Sequence, residues 1–181
     1  MKRILMLGCI VLLLCQTIAF AASKSGPVKQ TIPEEEMYIG GIGLQATLGY
    51  VKSIYGEPAE KKGENDPYNL LNYNIIFNYS PNLTVYGITG RRQKNRQEEN
   101  DVRVWGVVIK DNSLTTPSGL TVGMPYKAVV DLFGEVPPKR TAKGGTYYEY
   151  GIYYQGGDKT MSFHVDEVGN ITMIGLHKFA Q

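Results

Sequence analysis

GLTVGMPYKAVVDLFGEVPP (residues 119–138) reads as a second version of GIGLQATLGYVKSIYGEPAE (residues 41–60), and this pairing decides how the rest of the chain is parsed. In the first stretch Leu48, Val51, Ile54 and Tyr55 recur at helical spacing. A shift of 78 residues lands on Tyr126, Val129, Leu132 and Phe133. Each stripe predicts a short helix with one apolar face. Gly56 and Gly134 stop the two helices, because glycine takes the left-handed conformation of a helix end without a Cβ penalty. Pro58 and Pro137 follow closely. Thr47 is a candidate cap for the first helix, and Pro125 suits the first turn of the second.

Working outward, each helix is followed by alternation of period two. Leu71, Tyr73, Ile75 and Phe77 correspond to Tyr148, Tyr150, Ile152 and Tyr154, with Asn72, Asn74 and Glu149 on the opposite parity. These are half-buried strands. Tyr86 and Ile88 then correspond to Phe163 and Val165, and VWGVVI (residues 104–109) to ITMIGL (residues 171–176). A turn rich in Asp, Gly and Asn, residues 166–170, joins the last two strands of the second series. The first series carries about ten extra residues at that point, by the shift in register.

The expected fold is therefore α+β: two tandem αβββ repeats, residues 37–110 and 111–181, sharing an antiparallel sheet with the helices on one face and the other face exposed. One such unit has an apolar sheet face and too little to cover it, so two side by side complete each other. Antiparallel sheets tolerate water on one side. Residues 22–36, with Ser, Lys, Gly, Pro and Gln and no periodicity, predict a flexible N-terminal segment.

The first 21 residues have the three-part layout of a secretory signal peptide: Lys2 and Arg3, an apolar run, and small residues at Ala19 and Ala21. Gln16 and Thr17 end the run short of the ~20 apolar residues that a membrane span needs. The expected location is thus exported, periplasmic or extracellular, with no integral membrane span after cleavage at Ala21. Removing Lys2 and Arg3 from 19 basic residues leaves 17 against 17 acidic ones, so net charge gives no reason to expect nucleic acid. Cys9 and Cys15 leave with the signal, and the remaining chain has no cysteine. Its stability must come from a packed core rather than from disulfides. Removing 21 residues from 181 leaves 160, enough for such a core.

The segment GLTVGMPYKAVVDLFG (residues 119–134), with Tyr148, Glu149 and Tyr150 and the closing strand GNITMI (residues 169–174), resembles the repeat of the β-lactamase-inhibitor-protein-like and SmpA/OmlA (BamE) superfamily of bacterial envelope proteins. The likeness covers most of the chain after the signal, as two copies. It implies an exported, non-enzymatic binding module that presents a sheet face to a partner protein, or a component of envelope assembly. This chain lacks the cysteines that staple the inhibitor's repeats and a suitable lipid-attachment cysteine, so neither specific function carries over.

Candidate chemistry is sparse. Gly41, Gly43 and Ala46 imitate a dinucleotide fingerprint, but the required parallel βαβ context is missing. His164 and His177 are the only histidines. Metal sites ordinarily want three or more ligands, so no metal and no cofactor are expected. His164 is the candidate base of an alternative reading as an envelope enzyme, but Ser162 on the same strand face projects parallel to it rather than toward it. In RRQKNRQEEND (residues 91–101), Arg91, Arg92, Lys94 and Arg96 meet three acids and no aromatic ring, a composition unsuited to nucleic acid. A long loop on a rigid sheet is nevertheless a place where recognition sits.

The strongest candidate is the sheet face opposite the helices. If Tyr73, Ile75 and Phe77 pack under the helices, the other parity holds Asn74, Ile76, Gly151, Tyr153, Ser162 and His164. The third strands leave two assignments open, since both of their parities are apolar. The function read from the sequence is an exported non-enzymatic protein that binds another macromolecule, a protein or envelope component, through this face or the loop at residues 90–101. A structural or assembly component of the cell envelope is the alternative within the same class.

Overall fold

The computed structural model describes residues 29–66, 69–93, 95–155 and 157–179. The expected signal peptide and its cleavage point lie outside the described residues.

Nearly all of the fold is antiparallel sheet, with two short helices, so the class is α+β. Three brief strands, β1 (Lys29–Gln30) and the hairpin of β2 (Tyr38–Ile39) with β3 (Ile42–Gly43), precede α1 (Leu48–Tyr55). After it come β4 (Glu60–Asn65), β5 (Asn72–Ser80), β6 (Leu83–Gly90) and β7 (Arg103–Ile109). The second helix, α2 (Lys127–Phe133), is followed by β8 (Lys139–Arg140), β9 (Thr146–Tyr154), β10 (Gly157–Val165) and β11 (Ile171–Phe179). The sheet order is β1-β9-β10-β11-β7-β6-β5-β4, with β8 also on β9. The third long strands of the two series, β7 and β11, thus pair with each other at the centre: Ile174 faces Ile109 and Leu176 faces Val107.

Both helices stop where the glycines predict. Gly56 and Gly134 have φ of 76° and 80°, and their amides bond back to Lys52 and Val130. The Thr47 hydroxyl accepts the Tyr50 amide at 3.0 Å and so caps α1. Val51 and Val129 are fully buried, but Ile54 and Leu132, expected in the buried stripes, are 45% and 52% exposed. Helices of 8 and 7 residues span barely two turns. Only the part of the stripe directly over the sheet is covered.

One sheet face meets the helices. Leu48 sinks onto Gly87, where an added Cβ would fall 2.9 Å from its Cδ1. Phe133 meets Tyr150 edge-on at 5.8 Å, and Tyr126 stacks on Tyr148 at 3.8 Å. Phe77, Val85, Val107, Ile109, Met161, Phe163, Ile174 and Leu176 form the floor of this layer, and Ile32, Met37, Ile39, Ile42 and Leu120 belong to the same buried cluster.

Three further differences from the sequence reading have physical causes. The flexible segment expected at residues 22–36 is packed from Lys29 onward: Lys29 and Gln30 pair with Tyr153 and Ile152, Ile32 is buried, and the buried Glu36 carboxylate accepts from the amide and hydroxyl of Ser118. A single well-placed apolar residue and a capping carboxylate suffice where periodicity is absent. Each helix is followed by four strands rather than three, because β4 and β8 carry no apolar alternation. Backbone pairing with β5 and β9 makes them strands. Leu71, assigned to a strand, instead lies in the turn before β5 and is 74% exposed.

Candidate functional site

The sheet face opposite the helices gathers Asn74 and Ile76 from β5, Tyr153 from β9, and Ser162 and His164 from β10, as the parity of their strands predicts. They fall in two groups. Four strand intervals separate β5 from β10, or about 19 Å at normal spacing. The space between is filled by residues that period-two reasoning missed: Tyr86, Trp105, Thr160, His177 and Phe179.

A bulge explains the omission. Tyr86 pairs with Gly106, but its neighbour Gly87 pairs with Val104, so Trp105 is an extra residue in β7. Adjacent residues at a bulge lose strict alternation. Trp105 and Gly106 both point to the helix-free side, and the indole lies 5.6 Å from the Tyr86 ring and 6.2 Å from His177. His177 in turn sits 6.0 Å from Phe179. An aromatic strip therefore crosses β6, β7 and β11. Beyond it, Tyr147 stacks on His164 at 5.1 Å with 15° between ring planes, and the Lys29 ammonium lies 5.8 Å over the Tyr153 ring.

Glycines let these rings lie close to the backbone. A Cβ on Gly175 would fall 2.7 Å from Nε2 of His177, and one on Gly106 would fall 3.2 Å from its Nδ1. At Gly151 it would fall 2.8 Å from Cζ of Tyr153. The rings occupy space that any other residue would fill. Their inner surfaces rest on the sheet, and their outer surfaces face away from it.

The face was expected to be open, and here the structure corrects the reading. Asn74 and Ser162 are only 5% and 6% exposed, and Thr160 only 2%, so the short side chains of this face are buried among its larger ones. Of the buried side-chain polar atoms without a hydrogen-bond partner among the described residues, three lie here: Asn74 Oδ1, Trp105 Nε1 and Thr160 Oγ1. Each such group costs ~1–3 kcal/mol. None of the apolar side chains of this face belongs to the core cluster or packs against it.

Charge on the face is largely matched locally. Lys139 pairs with Glu149, Lys62 with Glu60 at 3.0 Å, and the Arg103 guanidinium donates to the Gln45 carbonyl at 3.1 Å. Burial holds both histidines below the ordinary imidazole range; at His177 the nearby Glu149 opposes this and His164 adds to it. Burial and then the Glu64 carboxylate push the Tyr86 hydroxyl up. Ser162 donates to the Gly175 carbonyl at 3.4 Å rather than to an imidazole. Among the described residues no group of three or more His, Cys, Asp or Glu side chains could hold a metal ion.

The loop after β6 is a separate surface. Arg91, Arg92 and Arg96 are exposed, and Lys94 lies outside the described residues. Glu99 reaches Lys52 of α1 at 2.5 Å and Lys61 of β4 at 3.0 Å, while Gly49 of α1 packs against Asn100. The end of the loop is thereby tied down on the helix side. A third feature, unmarked in the sequence reading, is a cleft of about 670 Å³ beside α2, walled by Tyr126, Tyr148, Val130, Val136 and Pro138.

Comparison of the chain with protein-family models, with curated proteins and with solved structures finds no match. Among the described residues no helix is long and apolar enough to cross a membrane.

Proposed function

We propose that this chain is an exported, non-enzymatic binding protein, made of two tandem αβββ units, that recognises another macromolecule of the cell envelope through its helix-free sheet face. One observation carries the reading: a sheet face holds an aromatic strip, Tyr86, Trp105, His177 and Phe179, that contributes nothing to the core. Aromatic side chains grouped outside a core are typical of recognition surfaces. Two helices that each precede a short strand and three long ones, with the third long strands paired centrally, support the tandem arrangement. The signal-like N-terminus supports export, and the resemblance to the inhibitor-like and BamE-type repeat supports binding over catalysis. His164 stacks on Tyr147 without a hydrogen-bonded carboxylate or hydroxyl at its ring among the described residues, which favours a contact role for it.

The test is photo-crosslinking in the native envelope from residue 153 on the face and residue 92 on the loop. Capture of one specific macromolecule from position 153 is expected. Capture from neither position overturns the reading, as does a catalytic activity abolished by His164→Ala.

A further inference from the structure

On the reading that the helix-free face is the recognition surface, and resting on it, we propose that its ligand is a neutral polysaccharide chain lying across the strands over Tyr86, Trp105, His177 and Tyr153. Three independent observations converge on that chemistry.

The first is ring orientation. His177 and Tyr153 lie over glycine backbone, with a missing Cβ 2.7–3.2 Å below ring atoms at Gly175, Gly106 and Gly151. At these two rings the face offers the negative π-surface rather than the edge, while Trp105 stands at 54° to Tyr86 and 49° to His177 and adds a tilted wall between them. A pyranose has the complementary shape, a flat array of weakly positive C–H groups. Rings lying on the sheet also leave no deep socket for the projecting anchor residue that dominates protein–protein contacts.

The second is charge. Most ionic groups bordering the strip already have partners: Glu149 on Lys139, Glu60 on Lys62, Arg103 on the Gln45 carbonyl, and Lys29 over Tyr153, while Asp158 accepts from the Tyr154 amide. Glu64, beside Tyr86, is the exception among the described residues. Histidine adds no cation at neutral pH, since burial disfavours its charged form. An anionic polymer would meet only Lys29 at one end and the unpaired Glu64 carboxylate at the other, whereas a neutral one has to displace Lys29 from the Tyr153 ring but leaves the ion pairs intact.

The third is unmet hydrogen bonding. An indole N–H, an amide oxygen and a hydroxyl are buried on this face without partners among the described residues: Trp105 Nε1, Asn74 Oδ1 and Thr160 Oγ1. Both donors and acceptors are wanted. Sugar hydroxyls supply both, and a small turn of the Trp105 or Thr160 side chain brings its polar atom to the ligand.

Trp105 is the sole tryptophan of the chain, so its emission reports on this face alone. The experiment uses the chain after signal removal, incubated with chitin, cellulose, mannan and starch as insoluble neutral polysaccharides. Soluble oligomers of whichever retains it are then titrated against Trp105 fluorescence. Expected are retention by at least one, a saturable change in emission, and an affinity unchanged on raising salt, since no ion pair forms. Tyr86→Ala and Tyr153→Ala, on opposite sides of the central strands, should each weaken binding by about tenfold. Failure of retention on all four polymers overturns the inference, as does binding that both variants leave intact or that salt abolishes. The outcomes separate from those of the reading it rests on. If position 153 crosslinks a protein while no polysaccharide retains the chain, the recognition face stands and its carbohydrate ligand falls.

Discussion

Gly175 lies directly beneath the ring of His177: the Cβ it lacks would sit 2.7 Å from Nε2 of that ring and 2.9 Å from the Ser162 hydroxyl. Adding one methyl group there must lift the imidazole off the sheet. Gly175→Ala should therefore cost ~1–3 kcal/mol, the range for overpacking, although alanine normally improves on glycine in a strand. The same change at Gly106, where the contact is 3.2 Å, should be milder. Urea unfolding of both variants decides it, and a stabilised Gly175→Ala would mean that the ring does not lie flat.

His177 also makes stability pH-dependent. Its folded-state pKa is held below the ordinary value by burial, with Glu149 opposing and His164 assisting. The unfolded chain therefore takes up the proton first, and stability present above about pH 6.5 is lost as pH falls through that value. The melting temperature should drop between pH 7 and 5.5, and His177→Asn should reduce that drop. The carboxylates of Glu57 and Glu60, held down by hydrogen bonds from lysine and asparagine, lose their contribution only at lower pH, which keeps the two effects distinct.

The sequence made much of this legible, and the exceptions share a cause. Gly56 and Gly134, the Thr47 cap and the alternation through Tyr73, Ile75 and Phe77 act locally, so they can be read locally. Membership of Asn74, Ile76, Tyr153, Ser162 and His164 on one face follows from the same alternation. Trp105 could not be placed, because both parities of its strand are apolar, and the bulge that sets Trp105 and Gly106 on the same side leaves no mark in the pattern. His177, one of the two histidines, could not be assigned to this face because it lies on the third strand, whose two parities are both apolar. A strand such as β4, with the sequence EKKGEN, is made by its partner's backbone and carries no apolar signal of its own.

The helices give a contrast that sequence periodicity does not predict. Ile54 and Leu132 continue the apolar stripes yet are about half exposed, whereas Val51 and Val129 one turn earlier are fully buried. Ile54→Gln and Leu132→Gln should each change stability by less than about 0.5 kcal/mol, while Val51→Ala and Val129→Ala should each cost about 2 kcal/mol. Chemical denaturation of the four variants checks the order.

Tyr150 closes the end of α2. Its hydroxyl donates to the Gly134 carbonyl at 2.7 Å, so the 2.9 Å contact with Tyr126 must use the Tyr126 proton. The Tyr126 hydroxyl is accordingly pushed up, first by burial and then by the bond it donates. Tyr150→Phe removes both bonds and strands a helix-end carbonyl, at an expected cost of ~1–3 kcal/mol. Tyr126→Phe leaves the Gly134 bond in place and should cost less. Equal losses in the two would contradict this donor assignment.

The N-terminal segment from Lys29 onward is part of the folded unit. Ile32 and Met37 are 2% and 3% exposed, and Glu36 accepts two hydrogen bonds from Ser118, so residues 29–37 close one side of the core although nothing periodic announces them. Burial of two such apolar side chains contributes ~1.5–3 kcal/mol each. A chain starting at residue 38 should be less stable by several kcal/mol than one starting at residue 22, and because β1 departs with the segment, the β9 amides of Gly151 and Tyr153 should show faster hydrogen exchange. Unchanged exchange at Gly151, whose amide donates to the Thr31 hydroxyl, would show that the segment is an ornament on the sheet edge and not part of the fold.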